Sequence, residues 1–552
     1  MTGTNTKLLK LCLLIPVLFS MAKTIASEIQ IKVDKQYLNF PISHQQERSK
    51  MTFSASGEAE WSVVVRLAPE NPDYWVFYDV SHLKGKTLNI SFQGDGRALE
   101  QIHQADQIHG HENLYSEANR PQFHFTTKRG WINDPNGMVY YDGEYHLFYQ
   151  HNPMEREWEN MHWGHAVSQD LVHWEELPTA LYPGELGAMF SGSAIIDYNN
   201  TAGFNEENNP AMIAFYTAAS ADRQVQCMAY SLDKGRTWTK YTENPLIDSK
   251  EVWNSVDTRD PRVFWYEESK HWVMVLNERD GHSIYTSNDL KDWTYQSHVT
   301  GFWECPELFE LAIDGNENNK KWVMYGATGT YMLGSFDGKV FTPESGKFLY
   351  TTGDLYAAQT FTNIPESDGR RIQIGWGRID QKDMPFNGMM MMPTELTLRT
   401  TKDGPRLFNL PVTELDQLFS KAEAKRELNT EDANDMIKKY NSQDRLRIKT
   451  TLKLSHATDA GLNLFGQRLV RYDLNSNTIN DVFYSSQDPT STEISLDIYI
   501  DRTSVEVFVD QGVYSYSLER NENPENNEGF HFWGNNIQIK ELEVFKVKSI
   551  WE

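Results

Sequence analysis

The chain has 552 residues, of which 12% are aromatic, and a formal net charge of -25. That length predicts two or three domains. The acidic balance excludes nucleic acid as a partner, because phosphate contacts need clustered Lys and Arg, and it favours a neutral or cationic ligand. The 16 Trp and 26 Tyr suit an all-β protein with a carbohydrate-facing surface.

Residues 1–26 read as an export signal. Lys7 and Lys10 precede an apolar run from Leu11 to Met21, and Thr24-Ile25-Ala26 offers a small-residue cleavage site. The run is too short to span a bilayer, so no membrane insertion is expected after its removal and the protein is expected in the periplasm or outside the cell. Cys12 lies inside the run, which argues against a lipid anchor. Only Cys227 and Cys305 follow, so no disulfide framework is expected and stability must come from core burial.

Residues 28–112 predict a small β-sandwich-like module. Ile29, Ile31 and Val33 alternate, as do Trp61, Val63 and Val65, then Leu88, Ile90 and Phe92. The polar stretch from Gln101 to His111 reads as a linker. His103, His109 and His111 have no Cys or carboxylate completing a metal spacing, so no metal is assigned.

From 119 to 405 the chain repeats itself. Ser168-Gln-Asp170 to Trp174, Ser231-Leu-Asp233 to Trp238, Ser287-Asn-Asp289 to Trp293 and a weaker Ser335-Phe-Asp337 to Phe341 recur at intervals of roughly 50–60 residues. Strand runs such as Val263–Tyr266 and Trp272–Leu276 fill the intervals, which predicts propeller blades. Asp and Ser turn chemistry explains the repeat, and its aspartates read as structural.

A second set of carboxylates follows the same period. Trp131-Ile-Asn-Asp134-Pro-Asn-Gly137 reads as a tight turn feeding a hairpin closed at Asp142-Gly143. Arg259-Asp260-Pro261 and Glu304-Cys305-Pro306 precede two further blades. Asp354-Leu-Tyr356 precedes a fifth, which ends in Gly375-Trp376-Gly377. Phe190-Ser191-Gly-Ser193 holds the matching place in the remaining unit. One Asp-Pro is ordinary turn chemistry. Equivalent places in a propeller instead converge on one axis, so Asp134, Asp260 and Glu304 should meet despite their separation in sequence. Their mutual repulsion has no structural use.

Beyond 405, Leu410 to Leu428 reads as a charged helical linker. Residues 425–552 return to strands, among them Leu446–Leu454, Ile494–Ile500, Val505–Val509 and Ile537–Phe545, which predicts a β-sandwich.

Two carboxylates in different environments can cleave a glycosidic bond, one donating a proton to the leaving oxygen and the other attacking the anomeric carbon. Asp134 beside Asn133 and Asn136 should be well hydrogen-bonded and ionised, as a nucleophile requires. Glu304, close to two other acids, should hold its proton. Asp260 could hold sugar hydroxyls and stabilise positive charge. Trp131, Trp158, Trp303 and Trp376 are candidates to pack on sugar faces, although Trp also fills cores. No metal-ligand spacing or nucleotide loop appears, and no cofactor is expected.

These motifs, in this order, resemble glycoside hydrolase family 32, the invertases, inulinases and levanases. Trp131 to Gly137, Phe-Tyr-Gln-His-Asn-Pro at 148–153, Trp-Gly-His-Ala-Val-Ser at 163–168, Phe190-Ser-Gly-Ser193, Arg259-Asp-Pro261 and Glu304-Cys-Pro306 carry the likeness, which spans 119–552. The resemblance implies a five-bladed β-propeller with a C-terminal β-sandwich. It implies a retaining mechanism with Asp134 as nucleophile, Glu304 as acid/base and Asp260 as transition-state stabiliser. It also implies a fructose pocket of Asn133, Gln150, Trp158, Phe190, Ser191 and Arg259, joined by Asp354 and Trp376. His151 stands where the family often has an aromatic and Ile132 where it commonly has Met. The N-terminal module is similar to an extra module on fructanases of gut Bacteroidetes-type bacteria.

The expected activity is therefore hydrolysis of β-fructofuranosidic bonds in levan, inulin or sucrose, with terminal fructose released. Endo action is the enzymatic alternative. A non-catalytic fructan-binding or sensing protein is another, although binding alone does not need all three acids. A sialidase fits less well, because Arg259 alone does not supply the arginines needed for that substrate's carboxylate.

Overall fold

The computed structural model describes residues 26–58, 60–206, 209–454, 459–483, 492–521 and 528–552. The expected leader lies outside them up to residue 25. Nearly all the regular elements of the described chain are strands.

The N-terminal residues form two sheets face to face. Ser27–Lys32, Thr87–Phe92, Ser49–Ala55 and Trp61–Val65 make one, and Tyr74–Asp79, Tyr37–Ile42 and His103–Ala105 the other. Leu38, Phe40, Phe53, Val63 and Ile90 fill the space between them. The stretch read as a linker differs: His103–Ala105 is a strand paired with Tyr37–Ile42. His109 stacks on Trp75 at 4.3 Å, with His103 edge-on to the same ring. Those imidazoles serve ring packing.

Five propeller blades follow. The first comprises Gly130–Tyr141, Glu144–Asn152, His162–Ser168 and Glu175–Leu181. Ala188–Asp197 opens the second, Thr258–Tyr266 the third, Glu307–Ile313 the fourth and Leu355–Thr360 the fifth. The fifth blade's outer strand, Gly404–Pro411, runs past the expected boundary at 405. The Asp142-Gly143 hairpin forms with both residues at positive φ, as a two-residue turn of matching twist requires.

Side chains lace the innermost strands around the axis. Ser193 Oγ donates to Pro261 O at 2.7 Å and accepts from Val263 N at 2.9 Å. Gln359 Nε2 donates to Gly192 O at 3.0 Å while its Oε1 accepts from Met138 N at 3.1 Å. The repeated aspartates cap turns. Asp170 Oδ1 accepts from the amides of Val172 and His173, Asp289 Oδ1 from those of Lys291 and Asp292, and Asp337 Oδ1 from those of Lys339 and Val340. In the first three repeats the Trp indole closes the turn by donating to a backbone carbonyl.

The C-terminal strands form a sandwich of two sheets, one of five strands and one of seven, the seventh being Thr351–Gly353 from the propeller segment. The expected helical linker is a 3-10 turn, Thr413–Leu418, followed by the edge strand Phe419–Leu428, which pairs with Ile537–Val547. The alternating charges there line an exposed strand, and the helix comes later, at Thr430–Ile437.

A buried triad joins propeller to sandwich. His124 Nδ1 lies 2.8 Å from Asp501 Oδ2 and its Nε2 lies 2.8 Å from Glu506 Oε1. Burial opposes a charge on His124, but the two carboxylates overcome it and push its pKa up from 6.5 to about 9. A raised folded pKa gives stability that is full below 6.5 and lost as pH rises through 9. Calorimetry of wild type should show Tm falling over that window. His124→Gln should lack that fall and, with two buried carboxylates unpaired, lose roughly 3–5 kcal/mol at neutral pH.

Candidate active site

The three acids meet in one open cavity of about 510 Å³, lined by Asn133, Asp134, Gln150, Trp158, Phe190, Ser191, Gln224, Asp257, Arg259, Asp260, Glu304, Tyr356 and Trp376. A local irregularity places them there. Asp134 does not sit on a turn before its strand. It lies within Gly130–Tyr141, where the pairing slips between Ile132 and Pro135. The same slip occurs between Phe190 and Gly192, between Arg259 and Arg262, and between Tyr356 and Gln359. Four innermost strands thus carry a β-bulge near their start, which turns Asp134, Ser191 and Asp260 out of the ladder and into the funnel. In the fourth blade Glu304 and Cys305 precede the strand with φ of 51° and 42°, and Asp260 has φ of 65°. Non-glycine residues adopt such φ values rarely and at a cost of about 1–3 kcal/mol each.

Asp134 Oδ2 accepts from Ser191 Oγ at 2.7 Å and its Oδ1 from Asn133 Nδ2 at 3.0 Å. Asn133 is fixed in turn by Trp131 Nε1, 2.8 Å from its Oδ1. With the amide oriented to satisfy both its groups, Asn136 accepts from Gln150 N and Nε2 at 3.0 and 2.9 Å and donates to Ser191 Oγ at 3.2 Å. Glu304 is gripped from both sides: Arg259 Nη2 donates to Oε1 at 2.6 Å and Tyr356 Oη to Oε2 at 2.5 Å. Arg259 also pairs with Asp257 and lies over the Trp303 ring at 5.4 Å. Asp260 Oδ2 accepts from Cys305 N at 2.9 Å, and Cys305 Sγ stands 3.6 Å from Asp260 and 3.7 Å from Asp134.

Burial and crowding raise both aspartates of the site. Burial pushes the Asp260 pKa up to about 7, with Asp134 and Glu304 adding to the rise and Arg259 and the Cys305 amide opposing it. Burial also raises Asp134, outweighing the hydrogen bonds from Ser191 and Asn133 that were expected to keep it low.

Of the predicted pocket, Asn133, Gln150, Trp158, Phe190, Ser191, Arg259 and Trp376 line the cavity. Asp354 does not. Its Oδ2 accepts from Glu519 N at 2.9 Å and its amide donates to Ser517 Oγ at 2.9 Å, so it fastens the propeller to the sandwich. Trp131 stands behind Asn133, and Trp303 covers Arg259. Sequence reasoning missed Gln224, Asp257 and Tyr356. Strand alternation does not mark them: Asp354, two residues before Tyr356, turns to the sandwich, and Asp257 precedes the strand Thr258–Tyr266. Gln224 is the second residue of the strand Arg223–Ser231, and nothing local marks it.

An all-β propeller whose funnel brings three acids together, one of them in the grip of two donors, has the carboxylate pairs that a glycoside hydrolase requires. Comparison with known proteins narrows the class. Residues 124–411 match the model of the glycosyl hydrolases family 32 N-terminal domain and residues 414–548 that of the family 32 C terminal. The chain belongs to glycosyl hydrolase family 32. It is 39% identical over 493 residues to a levanase of Bacillus subtilis (strain 168), covering 79% of this chain and 72% of that protein. It is 34% identical over 487 residues to an extracellular exo-inulinase of Aspergillus niger, covering 73% and 90%. The fold is similar to the crystal structure of exo-inulinase from Aspergillus awamori, with TM-score 0.68, 28% identity and coverage of 79% of this chain and 100% of that one. It is also similar to β-fructofuranosidase from Schwanniomyces occidentalis complexed with fructosyl-erythritol, with TM-score 0.66, 26% identity and coverage of 79% and 98%.

Asp260 works against stability. Its folded pKa lies above the ordinary 3.8, so its contribution is full below 3.8 and declines as pH rises through about 7. Asp260→Asn removes that decline, and Asn tolerates the positive φ. The variant should melt higher than wild type at pH 8, by an amount on the order of a few kcal/mol, and the gap should close toward pH 4.

Proposed function

We propose that this protein is an exported, retaining β-fructofuranosidase that removes terminal fructose from fructans. One observation carries the reading: Asp134, Asp260 and Glu304 share one cavity, each with partners suited to a different task. In the first step an Asp134 oxygen attacks the anomeric carbon while Glu304 gives its proton to the departing glycosidic oxygen. In the second, Glu304 takes a proton from water, which displaces Asp134 from the fructosyl carbon. Arg259 and Tyr356 hold the Glu304 carboxylate between the two steps. Asp260 holds sugar hydroxyls and offsets the positive charge that develops on the ring.

The levanase and the exo-inulinases among the relatives support a fructan substrate, and the exo-inulinases support attack at the chain end. The leader-like N-terminus, together with a relative described as extracellular, supports export.

Asp134→Asn should lose roughly four orders of magnitude in kcat on levan, inulin and sucrose, and Glu304→Gln about 10²–10⁴-fold. Chromatography of wild-type digests should show fructose alone. A ladder of oligosaccharides would overturn exo action, and tight fructan binding without cleavage would establish the non-catalytic reading.

A further inference from the structure

The loop at 153–161, between the first blade's strands Glu144–Asn152 and His162–Ser168, carries Trp158. Trp158 is 50% exposed, lines the catalytic cavity and meets Phe190 edge-on at 5.9 Å. Most of its neighbours face the other way, into the N-terminal module. Met154 is buried in that module's core. Glu155 Oε1 accepts from Arg66 N at 2.6 Å and Oε2 from Arg66 Nη1 at 2.9 Å. Arg66 reaches Glu157 through Nη1 and Nη2 at 3.1 and 3.0 Å, and Arg48 Nη2 reaches it at 2.8 Å. Arg156 N donates to Tyr74 Oη at 3.3 Å. Asn160 binds the edge strand Trp61–Val65 as a further strand would, accepting from Val64 N and donating to Val64 O, both at 2.8 Å.

The Glu155 side chain is only 1% exposed, and it stays buried because Arg66 at 2.9 Å and, more weakly, Arg48 Nε at 3.4 Å offset its charge. A bare loop of this length on a propeller rim would have few ties of its own. Here Met154 to Glu157 and Asn160 are all tied to the module, Arg156 Nη2 also reaches Asp380 and Gln381 O of the propeller, and Trp158 between them faces the cavity.

We propose that the N-terminal module is a working part of the substrate site. Arg66, with Arg48 and the Val64 edge, fixes the 153–161 loop and so holds the Trp158 ring where the sugar packs. Arg66 is then a positioning residue for fructan binding. This rests on the reading above that Trp158 meets the substrate.

The test is a double-mutant cycle on the full chain, with steady-state kinetics on sucrose and on a short levan oligosaccharide. Arg66→Met should raise KM about tenfold with kcat within about twofold, and Arg66→Lys should recover most of the loss. In a Trp158→Ala background, Arg66→Met should add less than about twofold, because its effect runs through a ring already removed. Folded Arg66→Met with wild-type KM, or effects that multiply in the double variant, would overturn the proposal. Trp158→Ala with unchanged KM would instead sink the substrate reading of that ring. If Arg66→Met does not fold, Asn160→Gly carries the same test, since it removes the grip on Val64 and tolerates the φ of 48°.

Discussion

Three carboxylates in one funnel repel each other, and much of the local structure answers that repulsion. Asp260 is 5% exposed and within reach of the fields of Asp134 and Glu304, so ionising it is costly. Arg259 supplies the main counter-charge, and it is itself held by Glu304, Asp257 and the face of Trp303. The remaining relief comes from neutral donors: Ser191 and Asn133 on Asp134, the Cys305 amide on Asp260 and Tyr356 on Glu304. Each donor comes from a strand or turn around the same axis, so the site exists only when the propeller closes.

Closure alone would not aim those groups. A regular strand sends alternate side chains to its two faces, and a residue at the start of an innermost strand would point into the space between blades. The bulges at Ile132/Pro135, Phe190/Gly192 and Arg259/Arg262 break that alternation in successive blades at equivalent places. The positive φ at Asp260, Glu304 and Cys305 goes with the same departure. Strain at these points is tolerated because the strands beyond them are laced by Ser193, Gln359 and Thr362 to the inner strands of other blades.

This accounts for what could be read from the residues and what could not. The blades were legible because apolar alternation and Ser-x-Asp turns are local properties. The convergence of Asp134, Asp260 and Glu304 was legible because repetition implies equivalence. The bulges were not, since an Asn-Asp-Pro stretch looks the same in a turn and in a slipped strand. Nor were the charge states, because desolvation depends on what closes over a group rather than on its neighbours in sequence. Asp134 has the hydrogen bonds expected of it, yet its burial outweighs them. Asp354 shows the same limit: its place before a blade matched the other acids, but its side chain turned to the sandwich. Phe419–Leu428 shows it for secondary structure, where charges that suit a helix line an edge strand.

Asp354 also indicates why the sandwich belongs to the site without lining it. The short strand Thr351–Gly353 pairs in parallel with Tyr514–Glu519, and the amides of Asp354 and Leu355 both donate to Ser517 Oγ. The next residue is Tyr356, whose hydroxyl holds Glu304. On the other side of the cavity, the loop bearing Trp158 is tied to the N-terminal module. The catalytic funnel thus has its acids on the propeller and two of its walls fastened from outside it, one by each flanking unit. A propeller rim is a ring of loops, and loops have little packing of their own to hold a ring or a hydroxyl to within a fraction of an ångström. Packing two further β-structures against that rim supplies what the blades cannot, and it does so at Tyr356, whose hydroxyl holds Glu304, and at Trp158, whose ring lines the cavity.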